Sequence, residues 1–553
     1  MYPGIRPQIT SHQQGEATLA FDLLIRHGTV VDGTGGTRYQ ADVGIVDGKI
    51  KTIGKVGNVE ASKVIEASGH IIAPGFIDMH SHSDVTLLED PGGESKVHQG
   101  VTTEVTGNCS YSPFPSGKAD PLDLQRVMGT TMASDTKWNW TTMDGWASSI
   151  DSSGVSINVA AQLGQSALRI AVGAIENRPA NQDELDQMKY LTEEAMEQGA
   201  FSITTGLTLT PSCYATTDEI VELSKSAARY DGAFYATHAR NDAGWHLKMI
   251  EEAVEIGHRA NIPVQFSHIA ITDSRVHGSG PAMMKIFEQA YSEGVDIVFD
   301  MYPYTAAGID LHQLIPNWVR EGENKDMMAR LADPSLRDLA RNETAEGADG
   351  RETPSWDAAV ISSLISEKNK GAIGRSIQEI SDETREDPAE TVLRLIHEEK
   401  DIVSAVFHNR IESDIRYFLA QPQGMIGSDG NAISPTGCYA KTAPHPRFYG
   451  TYPRLLGRYV RQKPSVLTLE EAIRKSSGFP AQRLGLKTRG IVKEGFVADL
   501  VIFNPSTVMD LASFEEPHQY PIGIPYVLVA GTPVVWENKH TGARPGRVLR
   551  RGE

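Results

Sequence analysis

Short apolar runs recur through the middle of the chain, most ending abruptly at a histidine, a glycine or a polar residue. Residues 75–80, 101–106, 157–163, 201–205, 233–238, 264–268, 296–302 and 425–428 read as strands. Between many of them lie amphipathic stretches with apolar positions at helical spacing, such as 184–198, 217–229 and 248–260. Eight strands alternating with helices predict an α/β fold, a (β/α)8 TIM-like barrel with parallel strands and its site at their C-terminal ends. The spacing breaks once, after Tyr304, where an insertion of charged, broken pattern (about 309–385) is expected to form a lid or small subdomain. A ninth apolar run, 405–408, is not needed by the count.

Both ends of the chain have a different texture. From Phe21 to Ile72, short alternating runs are separated by Asp32-Gly33 and Asp47-Gly48, which are hairpin signals. The same style returns at 498–503, 526–529 and 533–536. One small β-sandwich built from both ends (21–73 and 486–553) is therefore expected to flank a barrel spanning 74–485. Residues 1–20 read as a disordered lead-in without the apolar core of a secretory signal.

With 553 residues, two or three domains are expected. A net charge of −19 without any basic block argues against nucleic acid or an anionic membrane as partner. No apolar run reaches transmembrane length. Three cysteines cannot staple so long a chain, which points to a reducing, cytoplasmic setting in which each is judged as a thiol. A small molecule is the expected partner, and the oligomeric state is not legible.

On the expected barrel, several metal-binding residue types fall at strand ends. His80 and His82 close the first strand and share a face in extended backbone. Cys109 follows the second, His238 ends the fifth, His268 ends the sixth and Asp429 follows the last. Taken singly, a strand-end histidine is most often a satisfied polar residue and a lone cysteine a small buried one. Six such residues at one rim make a metal site the better reading. Imidazole, thiolate and carboxylate around an open position suit zinc. A water bound there can ionise near neutral pH, and Asp429 is the candidate to take its proton and return it to a leaving nitrogen. His246, His258 and His277 lack strand-end positions, and Cys213 and Cys438 lack a partner pattern, so no chemistry is assigned to them.

These segments resemble the D-aminoacylase (N-acyl-D-amino-acid deacylase) family of the amidohydrolase superfamily, over nearly the whole chain from residue 21. The resemblance is carried by Ala73-Pro-Gly-Phe-Ile-Asp-Met-His-Ser-His-Ser-Asp84, Gly100-Val-Thr-Thr-Glu-Val-Thr-Gly-Asn-Cys109 and Tyr235-Ala-Thr-His-Ala-Arg240. Asp300-Met-Tyr-Pro-Tyr304, Ile426-Gly-Ser-Asp-Gly430, His445-Pro-Arg-Phe-Tyr-Gly450 and Gly542-Ala-Arg-Pro-Gly-Arg547 extend it. The resemblance implies one tight zinc on Cys109, His238 and His268, and a second, weaker metal position using His80, His82, Asp429 and the shared Cys109. It implies that Asp429 is the general base and acid, and that Arg447 and Tyr304 hold the substrate's α-carboxylate. Three positions depart from the family pattern: Ala270 replaces a lysine, Leu209 a tyrosine and Gln165 a histidine.

Zinc-dependent hydrolysis of a linear amide, an N-acyl-D-amino acid or a related N-acylated amine, is the leading expectation. A cyclic amidase of the hydantoinase or dihydroorotase kind is the alternative, disfavoured by Cys109 and by the lack of a strand-end lysine for carbamylation. A non-catalytic scaffold is a third, disfavoured because no expected ligand is missing.

Overall fold

The computed structural model describes residues 21–57, 59–117, 124–125, 136, 138–240 and 246–553. The expected lead-in, 1–20, lies outside them. The central architecture is a TIM-like barrel with an accompanying β-domain. Its strands are Phe76–Asp78, Val101–Thr106, Asn158–Ala161 continued by Leu163–Gly164, Ser202–Gly206, Phe234–His238, Val264–Phe266, Ile297–Met301 and Gly424–Ile426. All pair in parallel, and the pairing falls into a four-stranded and a six-stranded sheet. Backbone hydrogen bonds tie the two sheets at both margins. Met79 N–H donates to Ile426 carbonyl at 3.3 Å on one side, and Phe201 N–H to Ala161 carbonyl at 2.9 Å on the other.

These strands are buried on both faces because helices cover the outside and side chains fill the inside. Ile77, Val105, Ala160, Phe201, Ala236, Val298 and Met425, one or two from most strands, form the interior cluster. Outside, Met249, Ile250, Ala253, Ile256 and Ala260 make the buried stripe of the helix Lys248–Ala260. The helix Gln182–Glu197 starts at a capping box in which Asn181 and Glu184 satisfy each other's backbone N–H.

The strands of both chain ends form one nine-stranded sheet, not two separately paired layers. The sheet encloses its own core: Leu500 and Ile502 join Leu23, Ile25, Val43 and Ile72 there, while Val501 and Phe503 turn to the barrel core. This is the period-two alternation of a strand buried on both sides. The last strand departs from the expected partition. Val548–Leu549 pairs in parallel with Asn158–Ala161, and Leu549 joins the barrel interior together with Ala481 and Leu484. Two residues are too short a run for their pattern to reveal a partner.

The insertion is longer than the expected 309–385. Ala307–Asp310, Val403–Phe407 and Ala359–Leu364 form an antiparallel sheet, and a separate core runs from Leu311 to Ala405. The ninth apolar run thus belongs to the insertion. An isolated alternating run looks the same in an antiparallel sheet as at a barrel position, so only its partners could place it. No helix among the described residues is long and apolar enough to cross a membrane.

Candidate metal centre

The first barrel strand stops at Asp78, yet the extended alternation carries through the histidine pair because Ser81 bridges Gly430 in parallel. His80 and His82 consequently reach the same point. His80 is fully buried, with Nε2 3.2 Å from Cys109 Sγ and 3.6 Å from Asp429 Oδ1. His82 Nε2 lies 3.0 Å from Asp429 Oδ1, and Cys109 Sγ lies 3.3 Å from His268 Nε2. Two overlapping donor sets result, His80–His82–Cys109 and Cys109–His238–His268, with the ligand atoms of each within 4.8 Å of one another. All six expected residues are brought together at one end of the barrel. Imidazole and thiolate donors at this spacing fit a zinc-like cation, and sharing Cys109 leaves room for two adjacent positions.

The backbone is bent to achieve this. Cys109, His268 and Asp429 take positive φ of 52°, 34° and 52°, a conformation costing non-glycine residues about 1–3 kcal/mol each. Neighbouring contacts hold them in it: Asp429 N–H donates to His80 carbonyl at 2.8 Å, and His268 N–H to Asp300 Oδ1 at 2.8 Å. Gly107, φ 78°, lets the loop before Cys109 run against the Gln162 carbonyl, where a side chain would collide.

Electrostatics favour the ligand forms of Cys109 and Asp429, whereas without a cation the anionic groups around His80 and His82 overcome burial and push both imidazoles up, toward the protonated form. Burial alone would push the Cys109 thiol up, but His80 and His268 hold it well below the ordinary thiol range. Burial likewise opposes ionisation of Asp429, yet the Arg447 guanidinium and the hydrogen bond with His82 hold its carboxyl well below the usual carboxylate range. Arg447 NH1 approaches Asp429 Oδ2 to 3.0 Å without hydrogen-bond alignment, and its Nε also stays unpartnered.

Two buried groups organise the ligands without having been singled out from sequence. Asp300 accepts from His80 Nδ1 at 3.1 Å, from His268 N–H and from Gln265 Nε2 at 2.8 Å. It fixes the tautomer and orientation of His80. A lone carboxylate inside the apolar strand Ile297–Met301 was the available signal. Lys96, fully buried, donates to Asp78 Oδ2 at 2.7 Å, Ser428 Oγ at 2.6 Å and Gly430 carbonyl at 2.8 Å. It ties the first strand to the Asp429 loop, and its four-residue helix carries no pattern that would have revealed it.

The centre opens into a cavity of about 1020 Å³, roofed by residues of the insertion such as Ile309, Leu314 and Arg320. Arg447 lines it. Tyr304 does not: its hydroxyl donates to Pro446 carbonyl at 3.4 Å and its ring lies under the Arg454 guanidinium at 4.5 Å. The chain turns sharply beyond the strand, Tyr304 N–H bonding Tyr302 carbonyl at 3.0 Å, which leaves Tyr302 at the cavity wall. Leu209 and Ala270 supply apolar wall, whereas Gln165 is held by Glu219 at 2.9 Å outside the lining. His246, His277 and Cys213 also line the cavity.

Comparison with known proteins places this geometry. The pattern of the amidohydrolase family matches residues 425–535, and that of the urease alpha-subunit N-terminal domain matches residues 4–75. The chain is 33% identical to a D-aminoacylase of Alcaligenes xylosoxydans xylosoxydans over 534 residues, covering 96% of this chain and 98% of the relative. It is 32% identical to an N-acyl-D-aspartate deacylase of the same organism, covering 97% of each. The crystal structure of an N-acyl-D-glutamate deacylase from Bordetella bronchiseptica, complexed with zinc and a phosphonate inhibitor, superposes with a TM-score of 0.81. That structure is 29% identical and covers 96% of this chain and 100% of its own.

Proposed function

The chain belongs to the D-aminoacylase family of amidohydrolases, and from that premise we propose that it is a zinc-dependent hydrolase of linear N-acyl amides, most simply N-acyl-D-amino acids. The observation that carries the reading is the convergence of Cys109, four histidines, Asp429 and Arg447 on one centre at the floor of the cavity. Cys109, His238 and His268 would hold the tight metal, and His80, His82 and Asp429 with the shared Cys109 a weaker one. A metal held there would supply Lewis-acid polarisation of the acyl carbonyl and would lower the pKa of an attacking water.

The residues of the chain do the rest. Asp429 accepts the proton of the water that adds to the acyl carbon. It then returns that proton to the nitrogen as the C–N bond breaks, releasing a carboxylate and a free amine. Arg447 offers the guanidinium edge that carries its unpartnered Nε–H to the substrate α-carboxylate, a bidentate grip that also sets which enantiomer can reach the centre, while Nη1 stays toward Asp429. A carboxylate there draws the guanidinium charge away from Asp429, which raises the proton affinity Asp429 needs as a base. Tyr302, under Arg447 at 4.5 Å, keeps the guanidinium in place.

Assay of N-acyl-D- and N-acyl-L-amino acids with and without chelator tests the reading. D-selective, chelator-sensitive amine release is expected. Turnover of a hydantoin or dihydropyrimidine, with none of any N-acyl amino acid, would sink it in favour of the cyclic amidase.

A further inference from the structure

Among the described residues six arginines line the cavity, and four of them have a carboxylate partner. Arg240 pairs with Glu252 at 3.2 Å, Arg275 with Asp273, Arg351 with Asp349 at 3.1 Å, and Arg447 faces Asp429 at 3.0 Å. Arg320 is engaged by Thr208 carbonyl and the Asn317 side chain. Arg410 has neither an ion pair nor a side-chain hydrogen bond among the described residues, and its Nε is buried without a partner. Its place is nonetheless fixed. The Arg410 N–H donates to Thr305 carbonyl at 3.1 Å, and the guanidinium lies over the Tyr302 ring at 4.4 Å. That is the ring Arg447 also covers, at 4.5 Å.

Two guanidiniums on one aromatic ring repel each other, and the cation–π contacts offset that repulsion only in part. The Arg410 Nε is desolvated without a hydrogen bond, which is unfavourable until a partner is supplied. Such an arrangement persists when an anion arrives to complete it. One carboxylate satisfies Arg447, since a guanidinium grips a carboxylate through two parallel N–H bonds. Arg410, on the same ring, is left for a second.

We propose that the substrate is a dianion, an N-acyl-D-aspartate or N-acyl-D-glutamate, whose α-carboxylate meets Arg447 and whose side-chain carboxylate meets Arg410 across Tyr302. This deepens the deacylase reading and rests on it. Arg410 lies three residues beyond the end of the insertion strand Val403–Phe407, so the insertion delivers the residue that selects the side chain.

The test compares N-acetyl-D-aspartate and N-acetyl-D-glutamate with N-acetyl-D-leucine and N-acetyl-D-methionine, in the zinc-loaded wild type, Arg410→Met and Arg410→Lys. Wild type should favour an acidic substrate by about tenfold or more. Arg410→Met should lower kcat/KM for that substrate about a hundredfold, mainly through KM, and leave the neutral pair within about threefold. Arg410→Lys should restore part of the loss. Wild-type preference for the neutral pair, or an equal loss on both pairs, overturns the dianion site and leaves the deacylase reading standing. Calorimetric titration with D-glutamate separates the two claims. Arg410-dependent binding without turnover of any N-acyl-D-amino acid would sink the deacylase reading and keep the dianion site.

Discussion

Asp429 joins the metal donors to Arg447, and its replacement separates chemistry from binding. Asp429→Asn keeps the shape and removes the base, so turnover should fall by at least about 10²–10⁴-fold. Zinc content, read by elemental analysis, should stay near that of wild type because Cys109, His238 and His268 are untouched. Asp300 acts through others: Asp300→Ala releases both the His80 ring and the His268 backbone. A loss of about 10–100-fold in zinc affinity or activity is expected, measurable by competition with a chromogenic chelator. His98 gives a pH signature away from the site. Its ring stacks on Tyr520 at 4.0 Å, and burial pushes its pKa down to about 4, the Glu94 carboxylate opposing and His540 adding to the shift. The unfolded chain, with a histidine pKa near 6.5, therefore binds more protons between the two values. Stability should rise with pH across that window and be lost as pH falls through it, by at most about 3 kcal/mol. Denaturation midpoints of wild type and His98→Phe at pH 7 and 4.5 should diverge by part of that amount. Identical pH dependence in the two proteins would remove His98 from the account.

At the scale of elements, the barrel depends on a segment that comes from the far end of the chain. The strand Val548–Leu549 seals the lower end, with Leu549 fully buried among the interior residues. Leu549→Ala should cost about 2–5 kcal/mol, seen as a lowered denaturation midpoint with unchanged kcat in the folded fraction. The insertion shows the opposite relation. It has its own core and sheet, yet lends Ile309, Leu314, Arg320 and Arg410's neighbours to the cavity. The barrel elements were legible because each strand is a short run buried on both faces and each helix carries a stripe. The insertion's extent was not, since the run at Val403–Phe407 is indistinguishable from a barrel strand until its antiparallel partners are known.

For the whole molecule, metal and fold are linked by mass action, because a preformed donor cluster exists only in the folded chain. Chelation should lower the melting temperature and zinc restore it, the shift growing to about 2.7 kcal/mol at a free zinc concentration a hundred times Kd. His80→Ala or His82→Ala should cost turnover while keeping most of the tightly bound zinc, whereas His238→Ala should lose the zinc itself. Residue types and spacings alone determined the alternation of strands and helices, the rim at which His80, His82, Cys109, His238, His268 and Asp429 would meet, and the zinc-like character of that set. Those features are local in origin: a strand end is written in the run before it, and ligand chemistry in the side chain. Tertiary structure decided what depends on direction and partner. It turned Tyr304 away from the cavity and put Tyr302 there, brought the carboxylate of Asp300 under two histidines, sent the last strand to the barrel, and set Arg410 on the ring that Arg447 covers, with no acidic partner among the described residues. None of these is encoded in spacing, because each is set by which distant segment comes to lie alongside.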